Sequence, residues 1–204
     1  MKNIRKIIQQ YDAKALGVQR AYAVLLPLIK IDNDWHILYE VRSEHISQPG
    51  ETSFPGGRIE PGESPKEAAI RETMEELNIE RKNITVYGEI DYIVSANRII
   101  YCYVGEITGV TLNDIHPNIE VARLFTVPLK KLLENGPTMY QIEFEHKDSD
   151  DEDSFPFHLI NKGKKYPFSE IKQKIPFYHI PDETLWGFTA NLTDRFVQII
   201  KGNK

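Results

Sequence analysis

Residues 56–79 read GGRIEPGESPKEAAIRETMEELNI, a glycine loop running into a short helix. Ser64 and Glu67 have the spacing of a reciprocal cap, in which each side chain accepts from the other's backbone N–H. Pro65 gives up an N–H that the first turn would leave unbonded. The helix is therefore expected from about Pro65. Ile70, Thr73, Met74 and Leu77 follow at i, i+3, i+4 and i+7 as a buried stripe, which sets Glu72, Glu75 and Glu76 on the opposite, exposed side. Asn78 stands where the helix should stop, in a position suited to a left-handed cap.

Like charges three or four positions apart destabilise a helix by roughly 0.2–0.5 kcal/mol per pair. A divalent cation reverses that sign, and carboxylates sparsely surrounded by protein suit a hard ion such as Mg²⁺, which keeps several waters and is shared with substrate phosphates. Arg71 can reach Glu75 one turn on and hold it. Taken alone, a glutamate-rich helix face is usually just solvated.

The wider frame decides against that plain reading. After Gly57, five residues lead to Glu63 and seven more to Arg71-Glu72, followed by Glu75-Glu76 and Ile79. This resembles the signature of the Nudix hydrolases, with every charged position matched; Thr73 replaces a usual hydrophobic residue and Asn78 the closing glycine. The resemblance implies an α/β (α+β) fold with a mixed β-sheet sandwiched between helices. It also implies hydrolysis of a nucleoside diphosphate linked to another moiety, with Mg²⁺ or Mn²⁺ as cofactor. By motif position, Glu72 and Glu76 would be the main metal ligands, Glu75 a further one, and the carbonyl of Gly56 would face the metal. Arg71 would orient Glu72 or Glu75, and Glu63 would steady the loop or the outer metal shell. Glu72 is the first choice of general base. Glu120, in NIEVARLF, is the alternative, against its reading as an exposed strand-edge charge.

The segment LYEVRSEHISQPGETSFPGG resembles the accessory motif of the coenzyme A pyrophosphatase branch, through Leu38, Arg42, Ser43, Gly50, Phe54, Pro55, Gly56 and Gly57. Tyr39 and Glu40 depart from it, Glu40 standing where the motif has threonine, and Ile46 occupies the place of a second arginine. The closing LWGFTANL is similar to the ending of that branch. Hydrolysis of coenzyme A or acyl-coenzyme A is therefore the leading expectation, with Arg42, Ser43, Phe54 and Gly57 in the substrate site. A pocket for several phosphates needs fixed cations, and Arg42, Arg98, Arg123 and Lys66 are the available ones; each could equally be a surface charge. His45 is a lone loop histidine that could touch phosphate. Another nucleoside diphosphate derivative (ADP-ribose, a dinucleotide or a modified nucleoside triphosphate) would use the same helix. A catalytically silent module that senses nucleotides is a different class of answer, disfavoured by the complete carboxylate set.

At 204 residues the chain is expected to form one domain, 1–204, with 139–204 as a C-terminal extension packed on it. A net charge of −5 argues against extended nucleic acid as a partner. Cys102 is the single cysteine, inside an apolar strand pattern, so its thiol reads as packing rather than as a nucleophile, and an internal disulfide is excluded. No apolar run is long enough for a bilayer, and the N-terminus lacks a signal core, which makes the cytoplasm the default address.

In chain order, Ile4, Ile7, Ile8 and Tyr11 predict a brief amphipathic helix packed on the outside of the domain. Ala21–Ile29 and Trp35–Val41 predict a hairpin around Asp32-Asn33-Asp34. Ile84–Ile90, Ile99–Ile107 and Ile119–Val127 are further strands, and Pro128–Leu133 a short helix. Tyr140–Phe144 alternates like a strand that Phe155–Leu159 could pair with, across the acidic run Asp148–Asp153, read as a solvated loop. A closing helix is expected from a cap at Asp182, with Leu185, Phe188, Leu192, Phe196 and Ile199 facing the core.

Overall fold

The computed structural model describes residues 3–12, 16–17, 20–95, 97–144, 155–168 and 171–202. In chain order the elements are α1 (Ile4–Gln9), β1 (Arg20–Ile31), β2 (Asp34–Arg42), β3 (Thr52–Ser53), β4 (Gly56–Arg58), α2 (Pro65–Leu77), β5 (Ile84–Glu89), β6 (Ile93–Ser95) and β7 (Arg98–Ile107). Then come β8 (Val121–Pro128), α3 (Leu129–Glu134), β9 (Thr138–Phe144), β10 (Ile171–Ile180), β11 (Glu183–Trp186) and α4 (Gly187–Ile200).

The main sheet runs β3-β2-β1-β7-β5, with β4 also on β1, β6 on β7 and β8 on β2. It is mixed: β1 pairs parallel with β7, while its pairs with β2 and β4 are antiparallel. The β1–β2 hairpin turns through Asp32 and Asn33, both at positive φ, the handedness that matches the twist of the flanking strands. Alternation along these strands splits the core in two. Ala23, Leu25, Ile29 and Leu38 pack with Ala68, Ala69, Ile70 and Leu77 of α2. Leu26, Leu28, Ile37 and Tyr39 pack on the other face with Leu192, Phe196 and Val197 of α4. The sheet is thus covered by a helix on each side. β9, β10 and β11 form a second, antiparallel sheet, whose Tyr178 and Leu185 enter the α4-side core.

α2 begins at Pro65 as its sequence dictates. The Ser64 hydroxyl accepts from Glu67 N–H at 3.3 Å, and the Glu67 carboxylate accepts from Ser64 N–H at 2.9 Å. Thr73, where the signature that this stretch resembles has a hydrophobic residue, is fully buried because its hydroxyl donates to the Ala69 carbonyl at 2.6 Å. Asn78 ends the helix at φ 52°. Ser64→Ala is expected to lower stability by about 1 kcal/mol in urea unfolding, the usual loss for a removed cap.

Several expectations need correction. α1 forms, but none of its residues is buried, and Ile4, Ile7 and Ile8 are exposed rather than packed on the domain. Phe155–Leu159 is not a strand; Phe157–Leu159 is a single 3₁₀ turn, and the partner of β9 is β10. Asp182 is not a helix cap. It takes a positive φ in the turn of the β10–β11 hairpin, so Leu185, in helical phase with Phe188 and Leu192 by coincidence, belongs to a strand, and α4 starts at Gly187. β6 had no separate sequence signal. The acidic run Asp148–Asp153 lies outside the described residues. Among the described residues, no helix is long and apolar enough to cross a membrane.

Candidate active site

The glycine pair links α2 to the sheet. Gly56 pairs with Val24 and Gly57 with Ala23, on the strand that runs beneath α2. Gly56 N–H donates to the Glu76 carboxylate at 2.7 Å. A side chain on Gly57 would fall on the Glu72 carboxylate, with Cβ only 2.3 Å from its Oε1. Glycine at this position therefore makes room for Glu72.

The three helix carboxylates are not alike, and the expected exposed acidic face is corrected here. Glu75 is exposed, Glu72 half-buried, and Glu76 buried. The cause is the i, i+4 geometry of α2, which turns Glu72 and Glu76 toward β4 while Glu75 projects past it. Burial pushes Glu76 up to about 8, helped by the Glu72 and Glu120 carboxylates and opposed by Gly56 N–H. Burial also raises Glu72, against the pull of Arg71.

Arg71 is the organising cation. Its Nε donates to Glu63 Oε1 at 2.9 Å, one terminal nitrogen donates to Glu72 at 2.8 Å and to Glu75 at 3.3 Å, and the other donates to Glu63 Oε2 and the Arg58 carbonyl, each at 3.1 Å. These hydrogen bonds hold Glu63 below the usual carboxylate range. Glu63 also accepts Glu60 N–H, tying the loop before the helix.

On the other side of the glycine pair opens a cavity of about 780 Å³. Arg42, Phe54, Gly56, Gly57 and Arg98 line it on the main-sheet side; Phe144, Ile175, Trp186 and Phe188 line it from the second sheet and α4. Arg42 is braced by the carbonyl and hydroxyl of Ser47, and Trp186 by a 2.7 Å hydrogen bond from its indole N–H to Glu51. Phe54 is buried and stacks on Tyr39.

Other sequence candidates fall elsewhere. Ser43 is buried beneath the loop, its N–H bonded to the Glu120 carbonyl and its hydroxyl accepting from His45 N–H, and it does not line the cavity. His45 is exposed outside it. Arg123 is engaged by Glu183 through both terminal nitrogens, and Lys66 sits beside Arg71 and Arg81 on the outer side of α2, so neither is at the mouth. Cys102 is fully buried, its thiol raised by burial. Glu120 is exposed but close to the site: Asn118 N–H bonds the Glu76 carbonyl at 2.9 Å, anchoring its loop on α2.

Two contributions were not read from sequence. The aromatic wall from the second sheet and α4 is assembled only by tertiary packing. Glu40 is a buried carboxylate on β2, and the one sign of it in sequence is a charge among the apolar Ile37, Leu38, Tyr39 and Val41. Among the described residues, no three His, Cys, Asp or Glu side chains already converge as a metal site. The donor set nevertheless fits a hard divalent ion, being all oxygen, and Glu40 Oε1 is buried without a hydrogen-bond partner.

Residues 20–144 match the sequence model of the NUDIX domain. Nudix hydrolase 3 of Caenorhabditis elegans is 35% identical over 142 residues, 67% of this chain and 57% of that protein, so the alignment spans little over half of that relative. A mitochondrial coenzyme A diphosphatase of Mus musculus is 30% identical over 201 residues, 96% of this chain and 85% of that protein. Among solved structures, a MutT/nudix family protein from Enterococcus faecalis shares the fold at TM-score 0.56 and 14% identity, over 97% of this chain and 68% of that one.

Proposed function

The chain belongs to the Nudix hydrolase family, and from that premise we propose that it hydrolyses the pyrophosphate bond of coenzyme A or acyl-coenzyme A, giving 3′,5′-adenosine bisphosphate and phosphopantetheine or its acyl form. The observation that carries this reading is the glycine pair itself. Glu72 and Glu76 lie on one side of it, and a cavity with two arginines and an aromatic wall lies on the other. A volume of about 780 Å³ is ample for a nucleotide-sized ligand. The similarity to a coenzyme A diphosphatase over nearly the whole chain supports this substrate class.

In this reading Glu72 and Glu76 hold a divalent cation, Mg²⁺ or Mn²⁺, with Glu75 and the Gly56 carbonyl as further oxygen donors. When bound, the cation supplies Lewis-acid stabilisation of charge on the phosphate oxygens. Arg71 holds and aims Glu72, and its link to Glu63 fixes the approach of the loop. Arg42 and Arg98 grip the phosphates. Water forms a new P–O bond, the bridging P–O bond breaks, and the water's proton passes to a carboxylate. Glu72 takes that proton, with Glu120 the alternative acceptor. Residues 1–204 act as one domain in which 139–204 supplies part of the cavity wall. The lone, buried Cys102 is compatible with a cytoplasmic address.

The test is product identification by mass after incubation with Mg²⁺ or Mn²⁺ and a panel of coenzyme A, ADP-ribose, a dinucleotide and a modified nucleoside triphosphate. The expected products are those named above, from coenzyme A. Ile46, in place of the motif's arginine, makes the panel necessary. Turnover of ADP-ribose with none of coenzyme A overturns the substrate, and binding without product from any compound favours a sensor.

A further inference from the structure

Glu40 is 2% exposed in the middle of β2. Its Oε1 is the only buried side-chain nitrogen or oxygen without a hydrogen-bond partner among the described residues. Side chains alternate along a strand, so Glu40 faces the same side as Leu38, which packs beneath α2. Glu76, Glu120 and Glu72 all act on it electrostatically, and Arg42 is the cation that opposes them. That guanidinium is itself engaged by Ser47. An isolated ionised carboxylate in such a place costs several kcal/mol unless something positive meets it.

We propose that Glu40 is a further ligand of the cation site, reaching the ion from the sheet while Glu72 and Glu76 reach it from α2. The proposal rests on the metal-dependent reading above and adds to it a donor from outside the signature helix. Threonine stands at this position in the accessory motif that the segment resembles, and Glu40 departs from it. A fourth anionic oxygen donor from a rigid strand strengthens the hold on a divalent ion and reduces its dependence on exposed Glu75.

The test measures Mn²⁺ binding to the full chain without nucleotide, by titration calorimetry and by the electron paramagnetic resonance of free Mn²⁺. Wild type, Glu40→Gln, Glu40→Asp and Glu76→Gln are compared. Glu40→Gln is expected to weaken Mn²⁺ binding by about ten- to a hundredfold, and Glu40→Asp by less. In EDTA, Glu40→Gln should melt no lower than wild type, since it removes a buried carboxyl whose Oε1 has no hydrogen-bond partner. Unchanged Mn²⁺ affinity in folded Glu40→Gln overturns the proposal. Should that variant not fold, Glu40→Thr, which carries the motif's own residue, is judged by the same criterion. Wild type that binds no Mn²⁺ overturns the metal-dependent reading itself. Binding lost in Glu76→Gln but kept in Glu40→Gln removes Glu40 alone.

Discussion

Glu76→Gln is expected to reduce turnover of the proposed substrate, coenzyme A, by roughly 10²–10³-fold, the scale seen when one fixed electrostatic contact to the reacting groups is removed, while the protein still folds. The glutamine keeps the shape and an oxygen that can accept Gly56 N–H, now 2.7 Å from Glu76. It loses the charge that a cation needs. The same variant reports on the resting site. Burial, with Glu72 and Glu120 nearby, lifts Glu76 from its ordinary 4.5 to about 8. Between those values the metal-free folded protein holds a proton that the unfolded chain has released. The stability owed to that proton is complete below about pH 4.5 and is lost as pH rises through about 8. Melting in EDTA should therefore fall by the equivalent of about 5 kcal/mol across this window in wild type and be visibly flatter in Glu76→Gln. Parallel curves for the two proteins would mean that Glu76 is ionised throughout.

The helix that carries these carboxylates was legible because its determinants are local. A cap at Ser64, a proline at Pro65 and a residue tolerant of positive φ at Asn78 act within a turn or two of themselves. The burial of Glu76 was not legible in the same way. Helical phase puts it beside Thr73 at the edge of the apolar stripe, and the approach of Gly56 from a distant strand encloses it. Glu40 was hidden for the same reason, since alternation marks the side it faces but not what lies across from it. At the C-terminus, Leu185 satisfied the phase of a helix, yet β10 offered Glu183–Trp186 backbone partners that a lone segment cannot reveal. Arg123 and Lys66 show the limit for charges: a long cation in sequence can pair with Glu183 or lie outside α2 as readily as line a cavity.

Two neighbouring glycines should respond to alanine in opposite ways, and the contrast tests where Glu72 must sit. At Gly57 the added methyl meets the Glu72 carboxylate, 2.3 Å from Oε1 and 2.4 Å from Cδ. These atoms are the far end of a flexible side chain, so the fold can yield by swinging the carboxylate away and breaking its 2.8 Å bond with Arg71. Gly57→Ala should thus lose only about 1 kcal/mol of stability, as for a partly exposed ion pair, but about 10²-fold in turnover, because a misplaced group costs that much. At Gly56 the methyl meets backbone instead, 2.4 Å from the Ala23 carbonyl and 2.6 Å from Val24 Cα. Neither can move without opening the β1–β4 pair, so Gly56→Ala should lose about 3 kcal/mol, as for an overfilled core. Urea unfolding and steady-state kinetics on both variants separate the cases. Full activity in folded Gly57→Ala would show that hydrolysis does not need Glu72 where the structure holds it, and the carboxylate pair on α2 would no longer account for the reaction.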